Sequence, residues 1–252
     1  MTELIFHREL NYAYLAIAAA VFVTLFFIPA AYGRHSRAGW GPQISTRLSW
    51  MIMESVSLLT FAAFLILGAH HSPAELLLGA LWLGHYFHRA ILFPLRMKMS
   101  ARPTPLVICL MAVIFNLGNA YLNSRWLYTL SPGYPDAWLR DPRFLGGIAL
   151  FVIGFAINYR ADRTLAGLRK GSDGGYQIPR GGLYELISCP NYFGEMLEWS
   201  GFALAAWSLP GLTFALWTAA NLAPRAITHH RWYRETFPDY PRRRRALIPF
   251  VI

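Results

Sequence analysis

The sequence predicts an all-α, polytopic membrane protein of seven transmembrane helices, and three observations carry that prediction. Of its 252 residues 55% are hydrophobic and only 14% charged, where soluble domains run at about a quarter charged. Seven apolar runs, roughly 11–32, 48–69, 75–95, 104–122, 144–161, 186–208 and 211–230, each approach the length needed to cross about 30 Å of hydrocarbon. Finally, the basic residues concentrate in alternate connections. With the N terminus on side one, side two collects eighteen of the 23 Lys and Arg residues, in segments 33–47, 96–103 and 162–185, at Arg160 just before the last of these, and in the C-terminal segment from Arg225 onward. Side one has Arg8, Arg125, Arg140 and Arg143, and Arg89 lies inside the third run. That asymmetry places the N terminus outside and the C terminus in the cytoplasm. An even number of spans would scramble the contrast.

The runs differ in what they carry. Glu3 and Glu9 precede the first, and no small-residue cleavage site follows it, so it reads as a span rather than a removed leader. The second contains one charged residue, Glu54, with Trp50 a turn before it; the third contains His85-Tyr-Phe-His-Arg89. A carboxyl group at hydrocarbon depth must pair or hold a proton. Beside Tyr86, Glu54 forms either a proton-donating pair or a hydrogen bond that only positions helices. The fifth run is short and ends at Asn158 and Asp162, four residues apart, which places that end at the interface. The sixth opens with Ser188-Cys-Pro-Asn-Tyr-Phe-Gly-Glu-Met-Leu-Glu-Trp199. Pro190 suits its first turn, and Asn191, Glu195 and Glu198 share one helical stripe. Such costly groups mark a site facing the bundle interior, with Glu198 paired to an Arg as structural glue as the alternative. In the seventh, Arg225, His229 and Tyr233 recur in steps of four.

No Gly/Pro-rich linker or internal repeat divides the chain, so residues 1–252 read as one domain. The net charge of +10 follows the topology and implies no nucleic-acid partner. Cys109 and Cys189 give no disulfide or zinc spacing. His229 and His230 lack carboxylate or thiol partners at ligand spacing, so no metal is expected. The glycine-rich loop 168–183, with Arg169, Lys170 and Arg180, suits phosphates or anionic headgroups, and it is no dinucleotide fingerprint because no strand precedes it. Arg242 to Arg245 read as a topology signal and headgroup anchor.

Several motifs together resemble the steroid 5α-reductase family. They are His85 to Arg89, Tyr176-Gln-Ile-Pro-Arg-Gly-Gly-Leu183, Ser188 to Trp199, Trp207-Ser-Leu-Pro210 and Arg245-Ala-Leu-Ile-Pro-Phe250, in the family's order and over nearly the whole chain from about Tyr32. Differences from the animal enzymes point to a divergent, bacterial-type member. The resemblance implies a seven-helix enzyme, likewise integral to its membrane, that uses NADPH to reduce the C4–C5 double bond of 3-oxo-Δ4-steroids. Carried over by position, the catalytic Glu–Tyr pair is Glu54 and Tyr86, which polarises the ketone. The cofactor residues are Tyr32, Arg89, Arg102, Asn158, Asp162, Arg169, Tyr176, Asn191, Glu195, Arg225, His229 and Tyr233. Arg102 and Arg169 then contact the adenosine phosphate, and Trp50 and Phe115 line the sterol cavity. The implied partners are a steroid or other enone lipid and membrane lipid, and the chain is expected to act as a monomer, in a bacterial inner membrane or the endoplasmic reticulum.

Some positions depart from the family. Met53 replaces the glutamine before the catalytic glutamate, Phe93 replaces a tyrosine, and 93–102 is longer by about two residues and lacks an asparagine. Two other readings compete: a membrane methyltransferase of the isoprenylcysteine carboxyl type, which has no use for a Glu54–Tyr86 pair, and a proton-coupled transporter relaying through Glu54, Glu195 and Glu198, which lacks inverted repeats.

Overall fold

The structure, a computed structural model, describes residues 2–28, 39–96, 103–170 and 175–252, the side chains of 169 and 170 excepted. Helices dominate it: α1 (Glu3–Phe27), α2 (Thr46–Leu67), α3 (Pro73–Phe87), the stub α4 (Phe93–Arg96), α5 (Leu106–Arg125), α6 (Pro142–Lys170), α7 (Pro190–Ala206) and α8 (Leu209–Thr236). A π-helical turn, His88–Leu92, joins α3 to α4, and a second, Trp126–Leu130, extends α5. Among the described residues β1 (Gln43–Ile44) pairs antiparallel with β2 (Thr104–Pro105).

Among the described residues five helical stretches are long and apolar enough to cross a membrane: Glu3–Phe27, Thr46–Leu67, Pro73–Arg96, Leu106–Leu130 and Pro142–Leu168. The sixth and seventh apolar runs are also helical, but α7 has only 17 residues and α8 carries Arg225, Arg231 and Arg234 in its second half. Large apolar side chains such as Leu59, Ile66, Ile114 and Val152 face outward, as lipid-facing positions do. The fifth run is longer than its apolar stretch suggests, because α6 continues to Lys170. Asn158 and Asp162 end the hydrophobic pattern without ending the helix, since their side chains find partners on α7.

Local chemistry sets the helix ends. Ser45 caps α2 by accepting the Leu48 N–H, and Ser72 and Glu75 form a reciprocal capping box at α3, satisfying N–H groups the first turn leaves bare. Asp141 accepts the Arg143 N–H at 2.8 Å and two guanidinium bonds from Arg143. Those charged hydrogen bonds hold its carboxyl down to about 2. Arg143 in turn lies between the rings of Trp138 and Trp207, at 4.5 and 4.8 Å. Trp207 ends α7 in the left-handed region (φ 43°), and Ser208 caps α8 at once, so the two helices form a tight hairpin.

Lipid is as apolar as leucine, so helices in a bilayer associate through close packing and small residues. The α6–α7 pair shows this. Gly147 and Gly154 on α6 oppose Gly201 and Gly194 on α7, seven residues apart on each helix, and a Cβ at any of the four would collide with the facing backbone. The contact sets Asn158 and Asp162 beside Asn191 and Glu195. A second organising point is Trp82, fully buried, whose ring touches those of Phe61, Tyr86, Trp199, Phe202 and Phe214 at 4.7 to 5.3 Å. It binds α2, α3, α7 and α8 together.

The C-terminal tail folds back on the entry to α7. Ser188 N–H donates to Arg245 O (2.8 Å), Arg245 N–H donates to Leu186 O (2.9 Å), and the Ser188 hydroxyl bonds His230 and Tyr240 at 2.6 and 2.7 Å. This revises the reading of the basic cluster. Arg242, Arg243 and Arg245 are exposed, but Arg244 is buried, donates to Pro179 O at 2.8 Å and lies 3.7 Å from Glu185. The Gly181 N–H, with Arg244 and Arg180 behind it, keeps the Glu185 carboxyl below its usual range.

Gly154→Leu is expected to lower stability by about 3 kcal/mol, at the upper end for overpacking because backbone is the obstacle. Gly167→Leu, where a Cβ meets nothing within 4 Å, should leave the melting temperature in detergent unchanged.

Candidate active site

The polar groups that interrupt the apolar helices converge. The π-turn after α3 carries Arg89, and π-bulges re-aim side chains in this way, frequently at functional sites. Arg89 is buried; its Nη1 lies 3.4 Å from Asp162 Oδ2 on α6 and its Nη2 3.9 Å from Glu195 Oε2 on α7. The guanidinium plane sits 4.5 Å from the Trp50 ring and 5.1 Å from that of Phe93. Between α6 and α7, Asn158 Nδ2 donates to Asn191 O (3.0 Å) and to Glu195 Oε2 (3.3 Å), while Asn191 Nδ2 donates to Asp162 Oδ1 (3.1 Å).

Glu54 on α2 lies within electrostatic reach of Arg89 and Glu195, and Tyr86, on the last turn of α3, within reach of Glu54, Arg89 and the buried Ser57 hydroxyl. Glu54 on α2 and Tyr86 on α3 thus lie within electrostatic reach of each other. α2 is located at this level by α5, where Asn116 Nδ2 donates to the Met53 carbonyl at 2.8 Å. Met53, which stands where a glutamine was expected, turns its sulfur to the Ser49 hydroxyl at 3.6 Å. Two carboxyl groups, Asp162 and Glu195, thus pair with the Arg89 guanidinium, and Glu54 lies within its electrostatic reach. At about 4 Å an opposite charge is worth about 4 kcal/mol at an effective dielectric near 20, so neither partner of such a pair is removed cheaply.

A second polar group adjoins the first across the opening turn of α7. Tyr192, next to Asn191, receives a hydrogen bond from Arg225 Nη2 (2.9 Å) and shares one with His229 Nε2 (3.1 Å). Arg225 also lies over the Tyr192 ring at 5.1 Å. Tyr233 stacks on Tyr240 at 5.2 Å and 11°. Tyr176 sets its ring edge-on against Trp232 at 5.0 Å. The face formed by Arg225, His229 and Tyr233 is therefore split between α7 and the tail. Phe115 stacks on Trp217 at 4.5 Å and also contacts Tyr14, which ties α5 to α1 and α8. Tyr32, Arg102 and the Arg169 side chain lie outside the described residues.

The third member of the α7 stripe behaves differently. Glu198 Oε1 pairs with His85 Nδ1 at 2.6 Å, both side chains buried, so its partner is a histidine rather than the arginine considered from sequence. Neither Tyr192 nor His85 is predicted as a partner by the sequence. For Glu198 the signal was available: a carboxyl in an apolar helix demands a partner at its own depth, and the third run holds His85. Tyr192 gave no such signal, because a tyrosine at a helix start is commonplace.

Fold and site together define a polytopic helical membrane protein with an ionic centre built inside the bundle. Comparison with known proteins agrees. The sequence profile described as 3-oxo-5-alpha-steroid 4-dehydrogenase matches residues 102–252. A steroid 5-alpha-reductase DET2 of Gossypium hirsutum is 46% identical over 254 residues, 99% of this chain and 98% of its own length. The 3-oxo-5-alpha-steroid 4-dehydrogenase 1 of Bos taurus is 42% identical, with 96% of each chain covered, and that of Homo sapiens 40% identical, with 96% and 94% covered. The chain belongs to the 3-oxo-5-alpha-steroid 4-dehydrogenase family. It is an oxidoreductase acting on a CH–CH bond, and neither the methyltransferase nor the transporter alternative is favoured. The profile begins beyond Glu54, Tyr86 and Arg89, whereas the full-length relatives span all three.

Arg89→Met is expected to lower stability by about 3–5 kcal/mol, because it strands buried carboxylates. Adding Asp162→Asn should recover part of that loss in thermal unfolding of the purified protein.

Proposed function

We propose that this protein reduces the C4–C5 double bond of 3-oxo-Δ4-steroids with NADPH. The observation that carries the reading is the placement of Glu54 and Tyr86 beside the Arg89–Asp162–Glu195 array, in a chain of this family. The array fits a nicotinamide cofactor by the chemistry of its groups. Carboxylates and amide oxygens of Asn158, Asp162, Asn191 and Glu195 suit the carboxamide and ribose hydroxyls, which are donors. Arg89 and Arg225 suit phosphate, with His229, Tyr233 and Tyr176 flanking it and Tyr32, Arg102 and Arg169 completing the adenosine end.

NADPH, when bound, supplies a hydride to the β-carbon of the enone. As that bond forms, negative charge moves onto the ketone oxygen, and a phenol already aimed at it stabilises the transition state. Tyr86 is that donor in this reading, and Glu54 orients the phenol and supports its hydrogen bond. A proton at the α-carbon completes the addition, so one hydride and one proton account for the two hydrogens gained. Trp50 and Phe115 serve as apolar walls for the substrate. The buried setting keeps water from these dipoles and so strengthens them.

The topology belongs to the same proposal. The chain is one domain, 1–252, of seven spans, with the N terminus outside and the C terminus cytoplasmic, acting as a monomer in a bacterial inner membrane or the endoplasmic reticulum. Arg143 between Trp138 and Trp207 fits an interfacial aromatic belt at one face, while most basic residues lie toward the other.

The direct test is to incubate detergent-solubilised protein with NADPH and testosterone or progesterone and follow both loss of the reduced cofactor and appearance of the 5α-product. No turnover with any 3-oxo-Δ4-steroid would remove the proposal. Glu54→Gln and Tyr86→Phe are each expected to reduce kcat at least about 100-fold, within the range for a lost transition-state donor, with NADPH affinity held within about threefold. Glu195→Ala should do the reverse, weakening NADPH binding by about tenfold or more in a fluorescence titration run without steroid.

A further inference from the structure

We infer that the buried His85–Glu198 pair is a positioning device that sets the Tyr86 side chain relative to α7. The inference rests on the reductase reading only for why the position of Tyr86 matters. Arg89 and His85 are four residues apart on one side, and Glu195 and Glu198 three apart on the other. They form two rungs between the α3 segment and α7: Arg89–Glu195 at 3.9 Å and His85–Glu198 at 2.6 Å. The first rung belongs to the ionic centre. The second is sealed, with Glu198 fully buried and its Oε2 without a hydrogen-bond partner among the described residues.

The sealed rung is connected to Tyr86 on both sides. His85 precedes Tyr86 in the chain and meets its ring edge-on, with centroids 5.1 Å apart. Trp199 follows Glu198 and lies 4.6 Å from the His85 ring and 5.8 Å from that of Tyr86. Besides Trp82, Tyr86 therefore packs against one member of the pair, His85, and against Trp199, the residue next to the other member. Aromatic contacts alone leave such a ring tolerant of sliding, because their geometric preference is broad. A short buried hydrogen bond at one depth removes that freedom, and a buried carboxyl group gives strong reason to keep it. His85 and Glu198 do not touch the reacting atoms in this account; they act through Tyr86.

The test uses the full-length protein with meta-fluorotyrosine placed at position 86 alone, read by fluorine NMR, alongside kinetics of His85→Gln, Glu198→Gln, Glu198→Leu and the double variant His85→Gln/Glu198→Leu. The unsubstituted pair should give one sharp resonance, and Glu198→Leu should shift or split it. Glu198→Gln, which can still bond His85, should stay close to the parent. In steroid turnover Glu198→Leu should lose about tenfold in kcat with NADPH affinity within about threefold, and the double variant should be little worse, since partners in one interaction are not additive. An unmoved resonance in Glu198→Leu overturns the inference. So do fully additive kinetic losses, or a kcat that falls only in step with the melting temperature. If Glu198→Leu fails to fold, His85→Gln carries the same readouts and the same overturning results. If the parent protein reduces no steroid while the resonance still responds, the reductase proposal fails and the positioning role of the pair stands.

Discussion

A guanidinium inside an apolar bundle has to be paired, and that requirement at Arg89 organises the centre of this molecule. Asp162 on α6, Glu195 on α7 and the Trp50 ring on α2 all turn toward it. Desolvating such a cation costs several kcal/mol even after relaxation, so these four segments are not free to slide independently. The π-turn at His88–Leu92 is part of the same constraint. An extra residue in the helical turn changes the direction in which Arg89 leaves the backbone, and the local hydrogen-bonding irregularity is tolerated because the charge has nowhere else to be satisfied.

Close approach of α6 and α7 makes the pairing possible. Hydrophobic association adds little between helices in lipid, and the glycines at 147, 154, 194 and 201 allow backbone contact that larger residues would forbid. At that separation short side chains suffice: Asn158 reaches the Asn191 carbonyl, and Asn191 reaches Asp162. The polar ladder thus follows from the glycine contact, and it lies where the two backbones meet directly. Catalytic and binding groups need such rigid support to hold their geometry. The aromatic cluster around Trp82 supplies the same rigidity on the α3 side, and the tail pinned through Ser188, His230 and Arg244 supplies it at the α7 entry.

Composition and pattern made much of this legible. The apolar runs located the helices to within a few residues in most cases, because a bilayer allows few alternatives to a helix. The pattern misleads where polar residues look like boundaries: Asn158 and Asp162 interrupt the fifth run, but α6 runs on to Lys170. The stripe of Asn191, Glu195 and Glu198 was recognisable from spacing alone. Its division of labour was not, since Glu195 meets Arg89 and Glu198 meets His85, and helical periodicity says nothing about which helix lies opposite. The same limit applies to Arg242 to Arg245, where Arg244 alone is buried, and to Arg225, His229 and Tyr233, which share a face although the first two meet Tyr192 and the third stacks on Tyr240.

By itself, the sequence determined that this chain is a helical membrane protein carrying costly polar groups at chosen depths. The energetics of burying backbone and charge in hydrocarbon are local and can be read residue by residue. Only the tertiary structure decided which of those groups meet, because pairing depends on how far apart α6 and α7 sit and on the turn that re-aims Arg89. Those are properties of contacts between segments distant along the chain, and no periodicity within one segment encodes them.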